Sequence, residues 1–177
     1  RRNTLADPQR TTVMDQQLLK NPCGVLVVIE ANDRLEKMLN ASTAVAGDQG
    51  KGFARRGQLD YMVMRGQEDS SILIAARKIN LESLECLHFE SHEDHRYRLR
   101  DGKDKMARSR LMVCKVTFKQ NIGHLWKAIV IAGVHWDYMT MNLQWQEAHK
   151  AFFDRLHAQI LSKKIQFLCG DFNVSLT

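Results

Sequence analysis

The chain is 177 residues long, 44% hydrophobic and 26% charged, with 26 Lys and Arg against 20 Asp and Glu for a formal net charge of +6. These proportions exclude a disordered or collagen-like chain, and the length suits one domain with a real core. No apolar run approaches the ~18–20 residues of a membrane-spanning helix.

Residues 1–10 read as a loose polar N-terminal segment, and residues 11–177 as a single domain. Thr11 to Lys20 suits a short helix with Val13, Leu18 and Leu19 inward, ended by Asn21-Pro22. Val25–Ile29 is a β-branched apolar run, predicted to be a strand buried on both faces. Asn32 or Asp33 can cap a short helix carrying Leu35, Met38 and Leu39. Ala46–Gly57 is Gly-rich and basic and reads as a loop. Leu59–Met64, Ser71–Ala76 and Leu84–Phe89 read as three strands.

His92–Arg108 is charged and reads as irregular, after which Leu111–Phe118 alternates as a strand and Ala128–Val134 forms another, buried one. Leu143 to Ser162 is the clearest helix, with Trp145, Ala148, Phe152, Leu156 and Ile160 recurring at three- and four-residue steps. Ile165–Cys169 closes the chain as a strand. Strands outnumber helices, which lie between some of them, so a sheet-based α/β domain follows.

Charge and cysteine add weaker signals. From Arg96 to Arg110 seven basic residues face two acidic ones, either a solvated surface loop or a contact for phosphate backbones. Cys23, Cys86, Cys114 and Cys169 form no CxxC pair, and most of them adjoin apolar stretches. Buried, reduced thiols and an intracellular setting, nuclear or cytoplasmic, are expected from that usage. His88, His92, Glu93, Asp94 and His95 cluster in sequence, but no zinc spacing is evident and a solvated loop is the favoured reading over a Zn²⁺ module.

Three buried runs each end in an ionisable side chain: Val25–Ile29 in Glu30, Ile129–Val134 in His135, and Ile165–Gly170 in Asp171, followed by Asn173. Sheet proteins commonly bind ligands at the carboxyl ends of strands, where a rigid scaffold gathers residues from distant sequence. Carboxylates suit a hard cation such as Mg²⁺, His can hydrogen-bond or protonate a phosphate, and Asn can orient a water.

Phe167-Leu168-Cys169-Gly170-Asp171-Phe172-Asn173 resembles the GDFN signature of the endonuclease/exonuclease/phosphatase superfamily. Val130-Ile131-Ala132-Gly133-Val134-His135-Trp136-Asp137 is similar to that family's strand ending in His, and Pro22 to Glu30 to the segment ending in its metal-binding Glu. Ser71 to Lys78 resembles the strand after that one, and Arg110-Leu111-Met112-Val113 the next, Arg-led strand. The resemblance implies an α/β fold, the four-layer α/β/β/α sandwich of DNase-I-like type. It also implies metal-dependent phosphodiester hydrolysis. A nucleic-acid endonuclease, retroelement-type enzymes included, is the first candidate, with DNA favoured over RNA.

By the same resemblance Glu30 and Asp171 hold Mg²⁺ or Mn²⁺, Asp171 positions or deprotonates the attacking water, and Asn173 holds that water or the phosphate. His135 contacts the scissile phosphate, and Arg110 is a phosphate or structural contact. Ile29 stands where the family usually has Gln, and the family's late Asp and Ser-Asp-His segment falls beyond Thr177. A fragment or degenerate copy lacking terminal strands, with little turnover alone, is therefore expected. The rival readings are a non-catalytic binding protein on the same fold, and a phosphatase or phosphodiesterase acting on phosphoinositide or sphingolipid head groups.

Overall fold

A computed structural model describes residues 24–31, 39, 61–66, 72–98, 104–119, 126–136 and 146–172, with residues 92–98, 104–109 and 146–149 described by backbone alone. The segment 1–10, the helix expected at 11–20, the loop expected at 46–57 and Asn173 lie outside those residues.

A continuous apolar run in Leu73–Arg77 (β3) builds the centre of the first sheet. Its two neighbours, Val25–Val28 (β1) and Tyr61–Arg65 (β2), both pair antiparallel to it in the order β1-β3-β2. The second sheet holds Leu81–Arg98 (β4), Asp104–Phe118 (β5), Ala128–His135 (β6) and Phe167–Asp171 (β7), in the order β4-β5-β6-β7. The first three are antiparallel, whereas β6 and β7 run parallel. Parallel neighbours need a crossover, and the helix Gln146–Lys163 (α1) lies in that connection.

The two sheets pack face to face. Ile72, Ile74 and Ala76 from one meet Leu84, Met112, Cys114, Val116 and Ile131 from the other in one buried cluster. The opposite face of the first sheet buries Leu73 and Ala75 with Ala31, Tyr61 and Leu39, the last in helical conformation. On the far face of the second sheet, Leu111, Val113, Ala132 and Val134 pack on Phe152 and Leu156 of α1. Period-2 strands with both faces apolar thus give two central layers, each covered on its outside. Two packed sheets, with α1 covering the second, give the α/β fold that the resemblance implied.

Two glycines allow close approach. A Cβ on Gly133 would overlap Cγ2 of Ile72 across the sheet interface, and one on Gly170 would overlap the Val134 carbonyl oxygen. The glycine of the GDFN strand therefore sits where β7 lies too near β6 for any side chain.

The structure corrects three expectations. Val25–Val28 is half-buried rather than fully enclosed, because β1 lies at a sheet edge, although its alternate residues still reach both cores. The charged stretch 92–108 is not an irregular loop: most of it extends β4 and β5 into a long hairpin paired as far as Arg98 and Asp104. Ladder hydrogen bonds stabilise that hairpin whatever the side chains prefer, so a polar sequence conceals the strands. Cys86 is exposed rather than buried, since β4 is the outermost strand of its sheet, while Cys114 is buried and Cys169 half-buried. All three are free thiols.

Candidate active site

The carboxyl ends of β1, β6 and β7 meet the start of the apolar part of β5 at one end of the sandwich. β6 ends in His135, whose register partners are Arg110 on β5 and Asp171 on β7. Three side chains from widely separated segments thus stand in one row across the sheet.

Arg110 and His135 are both buried, and the Arg110 Nη1 lies 3.0 Å from His135 Nδ1. A guanidinium only donates, so Nδ1 must be the acceptor and the imidazole is neutral, with its hydrogen on Nε2. That Nε2 lies 3.5 Å from Oε1 of Glu30, across the interface between the sheets. Arg110, His135 and Glu30 therefore form one chain of polar contacts, running from the buried guanidinium to a carboxylate whose side chain is 64% exposed.

Glu30 reaches this position through an unusual backbone. Its φ of 57° lies in the left-handed region, which non-glycine residues adopt at a cost. The extended run of β1 ends at Val28, and the chain turns sharply at Glu30. Asp171 closes β7 and is exposed. Its carbonyl accepts a hydrogen bond of 2.8 Å from the Trp136 backbone N–H, which extends the β6–β7 ladder one residue past His135. The Trp136 ring is buried and packs edge-on against Phe152 of α1 at 5.1 Å between centroids. The helix thereby anchors the strand end that presents His135.

The structure brings Glu30, Arg110, His135 and Asp171 to one end of the fold. Asn173 lies outside the described residues. Arg110 was expected to contact phosphate or support structure, and here its guanidinium engages His135. Trp136 was not anticipated as an anchor: its only sequence signal is an aromatic directly after a strand-ending His.

The donors fit a hard divalent cation. Glu30 and Asp171 offer exposed carboxylates, and Mg²⁺ typically binds one or two of these and keeps several waters. Among the described residues, no group of three or more His, Cys, Asp or Glu side chains could hold a metal ion by itself. A site of this kind would draw its remaining ligands from water and substrate oxygens.

No family model matches the sequence, and no curated protein is similar to it at a significant level. Solved structures do match the fold. A humanized zebrafish (D. rerio) TDP2 carrying 14 mutations is 14% identical, with a TM-score of 0.56 over 94% of this chain and 59% of that one. The human Nocturnin catalytic domain with a bound sulfate anion is 13% identical, with a TM-score of 0.53 over 96% of this chain and 58% of that one. An endonuclease/exonuclease/phosphatase family protein from Bacteroides thetaiotaomicron is 14% identical, with a TM-score of 0.53 over 96% and 56% respectively.

The chain thus shares the fold of these structures, one of which is an endonuclease/exonuclease/phosphatase family protein. It spans a little under three fifths of the length of each of these structures. Among the described residues, no helix is long and apolar enough to cross a membrane.

Proposed function

We propose that the chain carries the Glu30, His135 and Asp171 half of a Mg²⁺- or Mn²⁺-dependent phosphodiesterase site, with nucleic acid, DNA before RNA, as its substrate. The observation that carries this reading is the row Arg110–His135–Asp171 across three strands, with Glu30 meeting His135 from the facing sheet. The sulfate bound in the Nocturnin structure is a tetrahedral anion on the same fold, which supports a phosphate-like ligand for this one.

Each residue has a chemical task in this reading. Glu30 and Asp171 would hold the cation, which when bound neutralises charge developing on the phosphoryl oxygens. Asp171, exposed at the strand end, accepts the proton of the attacking water as that water's oxygen bonds to phosphorus and the ester oxygen leaves. His135 directs its Nε2–H towards the exposed carboxylate side of the site, where it can donate to a phosphoryl oxygen. Arg110 keeps that donor in place by occupying Nδ1. Asn173 is assigned to the water or phosphate by resemblance, and the basic residues from Arg96 to Arg108 supply attraction to a polyanion.

The test has two arms. In the first, Mn²⁺ binding is measured by calorimetry on the chain and on Glu30→Gln and Asp171→Asn; the reading expects binding that both substitutions weaken at least tenfold. In the second, plasmid DNA, abasic duplex, RNA, phosphoinositide and sphingomyelin are assayed with Mg²⁺, Mn²⁺ or chelator, in the wild type and in Asp171→Ala. Metal-independent cleavage, or full activity in Asp171→Ala, overturns the assignment. Weak turnover by this chain is expected, since it carries only part of the site, and turnover confined to the lipid head groups replaces nucleic acid as substrate.

A further inference from the structure

Cys86 and Cys114 are 28 positions apart in sequence, yet they are direct partners in the β4–β5 register. Cys114 is fully buried in the cluster between the sheets, while Cys86 is exposed on the outermost strand. Cys86 Sγ donates to the His88 carbonyl at 3.5 Å. Directly opposed antiparallel residues have Cβ atoms roughly 4.5–5.5 Å apart, closer at non-hydrogen-bonded pairs, and a disulfide takes roughly 3.5–4.5 Å. A register shift between Cys86 and His88 loosens the ladder beside the pair, leaving β4 room to close that small difference.

We propose that Cys86 and Cys114 are a redox-active cross-strand dithiol that closes to a disulfide when the protein meets a low-molecular-weight disulfide. The pair lies four residues along β5 from Arg110, about 13 Å at strand rise, so it is a site separate from the row at His135. Cys169 is not an alternative partner for Cys114. β6 lies between their strands, and two strand spacings of about 4.8 Å exceed the Cα separation a disulfide spans.

The chemistry runs in two steps. The exposed Cys86 thiolate attacks one sulfur of the reagent, breaking its S–S bond and releasing one thiolate. Cys114 then gives its proton to solvent and attacks Cys86 Sγ, expelling the second thiolate. The protein loses two protons and two electrons, and the reagent is reduced to two thiols. Burial, and then the neighbouring Cys86, push the Cys114 thiol up from its ordinary range, so its thiolate is scarce and the second step is the slower one.

The test treats the whole chain with glutathione disulfide, quenches with alkylating agent over time, and maps the unreduced digest by mass spectrometry. A glutathione adduct on Cys86 should appear first and convert to a Cys86–Cys114 cross-linked peptide. Cys86→Ala should leave Cys114 unmodified in the folded protein, and Cys114→Ala should stop at the adduct. The Cys86 substitution lies on an exposed site, so its result does not depend on a repacked core. An adduct on Cys86 that persists at equilibrium while Cys114 remains alkylatable after unfolding overturns the proposal. So does a cross-link that joins Cys86 to another cysteine or to a second chain.

Discussion

Arg110 donates from Nη1 to Nδ1 of His135 at 3.0 Å, and both side chains are buried. The two residues are 25 positions apart in sequence and direct register partners on β5 and β6. This contact sets the tautomer of the imidazole, because a proton on Nδ1 would point into a guanidinium that has no acceptor to offer. The charge of Arg110 thus acts within the fold by keeping one nitrogen of His135 bare and the other protonated.

Replacing Arg110 with Leu should therefore change the state of His135 as well as stability. A buried hydrogen bond to a charged group is lost and Nδ1 is left without its donor, at a cost of about 1–3 kcal/mol. Denaturant unfolding reads that loss. Imidazole nitrogen NMR should show the single Nε2–H tautomer of the wild type give way to a mixture, and an unchanged tautomer would remove the positioning role.

Gly170 makes a second prediction. A Cβ at this position would overlap the backbone oxygen of Val134, so Gly170→Ala forces β7 away from β6. Overpacking against backbone costs at least ~2 kcal/mol, and the shift carries Asp171 out of line with His135. Both a lower unfolding midpoint and weaker Mn²⁺ binding are expected. If only the midpoint falls, Asp171 does not depend on this close approach.

At Glu30 the backbone and the side chain can be tested separately. Glycine adopts a φ of 57° freely, so Glu30→Gly should be more stable than Glu30→Ala by about 1 kcal/mol, in a comparison by thermal unfolding. Both variants lack the carboxylate and should bind Mn²⁺ equally poorly. Equal stability of the two would show that the left-handed turn carries no strain.

Phe152→Ala should act on the site from a distance. The ring is fully buried and supports the Trp136 ring, so truncation should cost about 3–5 kcal/mol. Near-ultraviolet circular dichroism should lose the Trp136 contribution. Substituting Phe153, which is 55% exposed and lies 6.2 Å from the same ring, should cost far less.

Much of the architecture was legible in local pattern. The runs that became β1, β3, β6 and β7 are apolar over strand lengths, the stripe through Phe152, Leu156 and Ile160 marks α1, and the GDFN words point to one superfamily. Such signals survive in sequence because burial repeats with the period of the element itself. The long hairpin was not legible, since the residues from His92 to Arg108 are polar and their strand state rests on pairing with each other. The edge position of β1 was hidden for a similar reason: apolar content says that a strand is covered, not how many strands flank it.

The ionisable strand ends Glu30, His135 and Asp171, and the chemistry open to a carboxylate–imidazole set, are properties of the sequence alone. Each is fixed by its place directly after an apolar run. Which nitrogen of His135 carries the hydrogen, how Glu30 turns back to meet it, and which cysteine faces Cys114 were decided only by the tertiary structure. Those relationships depend on register and on the packing of one sheet over another, and these bring together residues whose separation along the chain carries no trace of their contact.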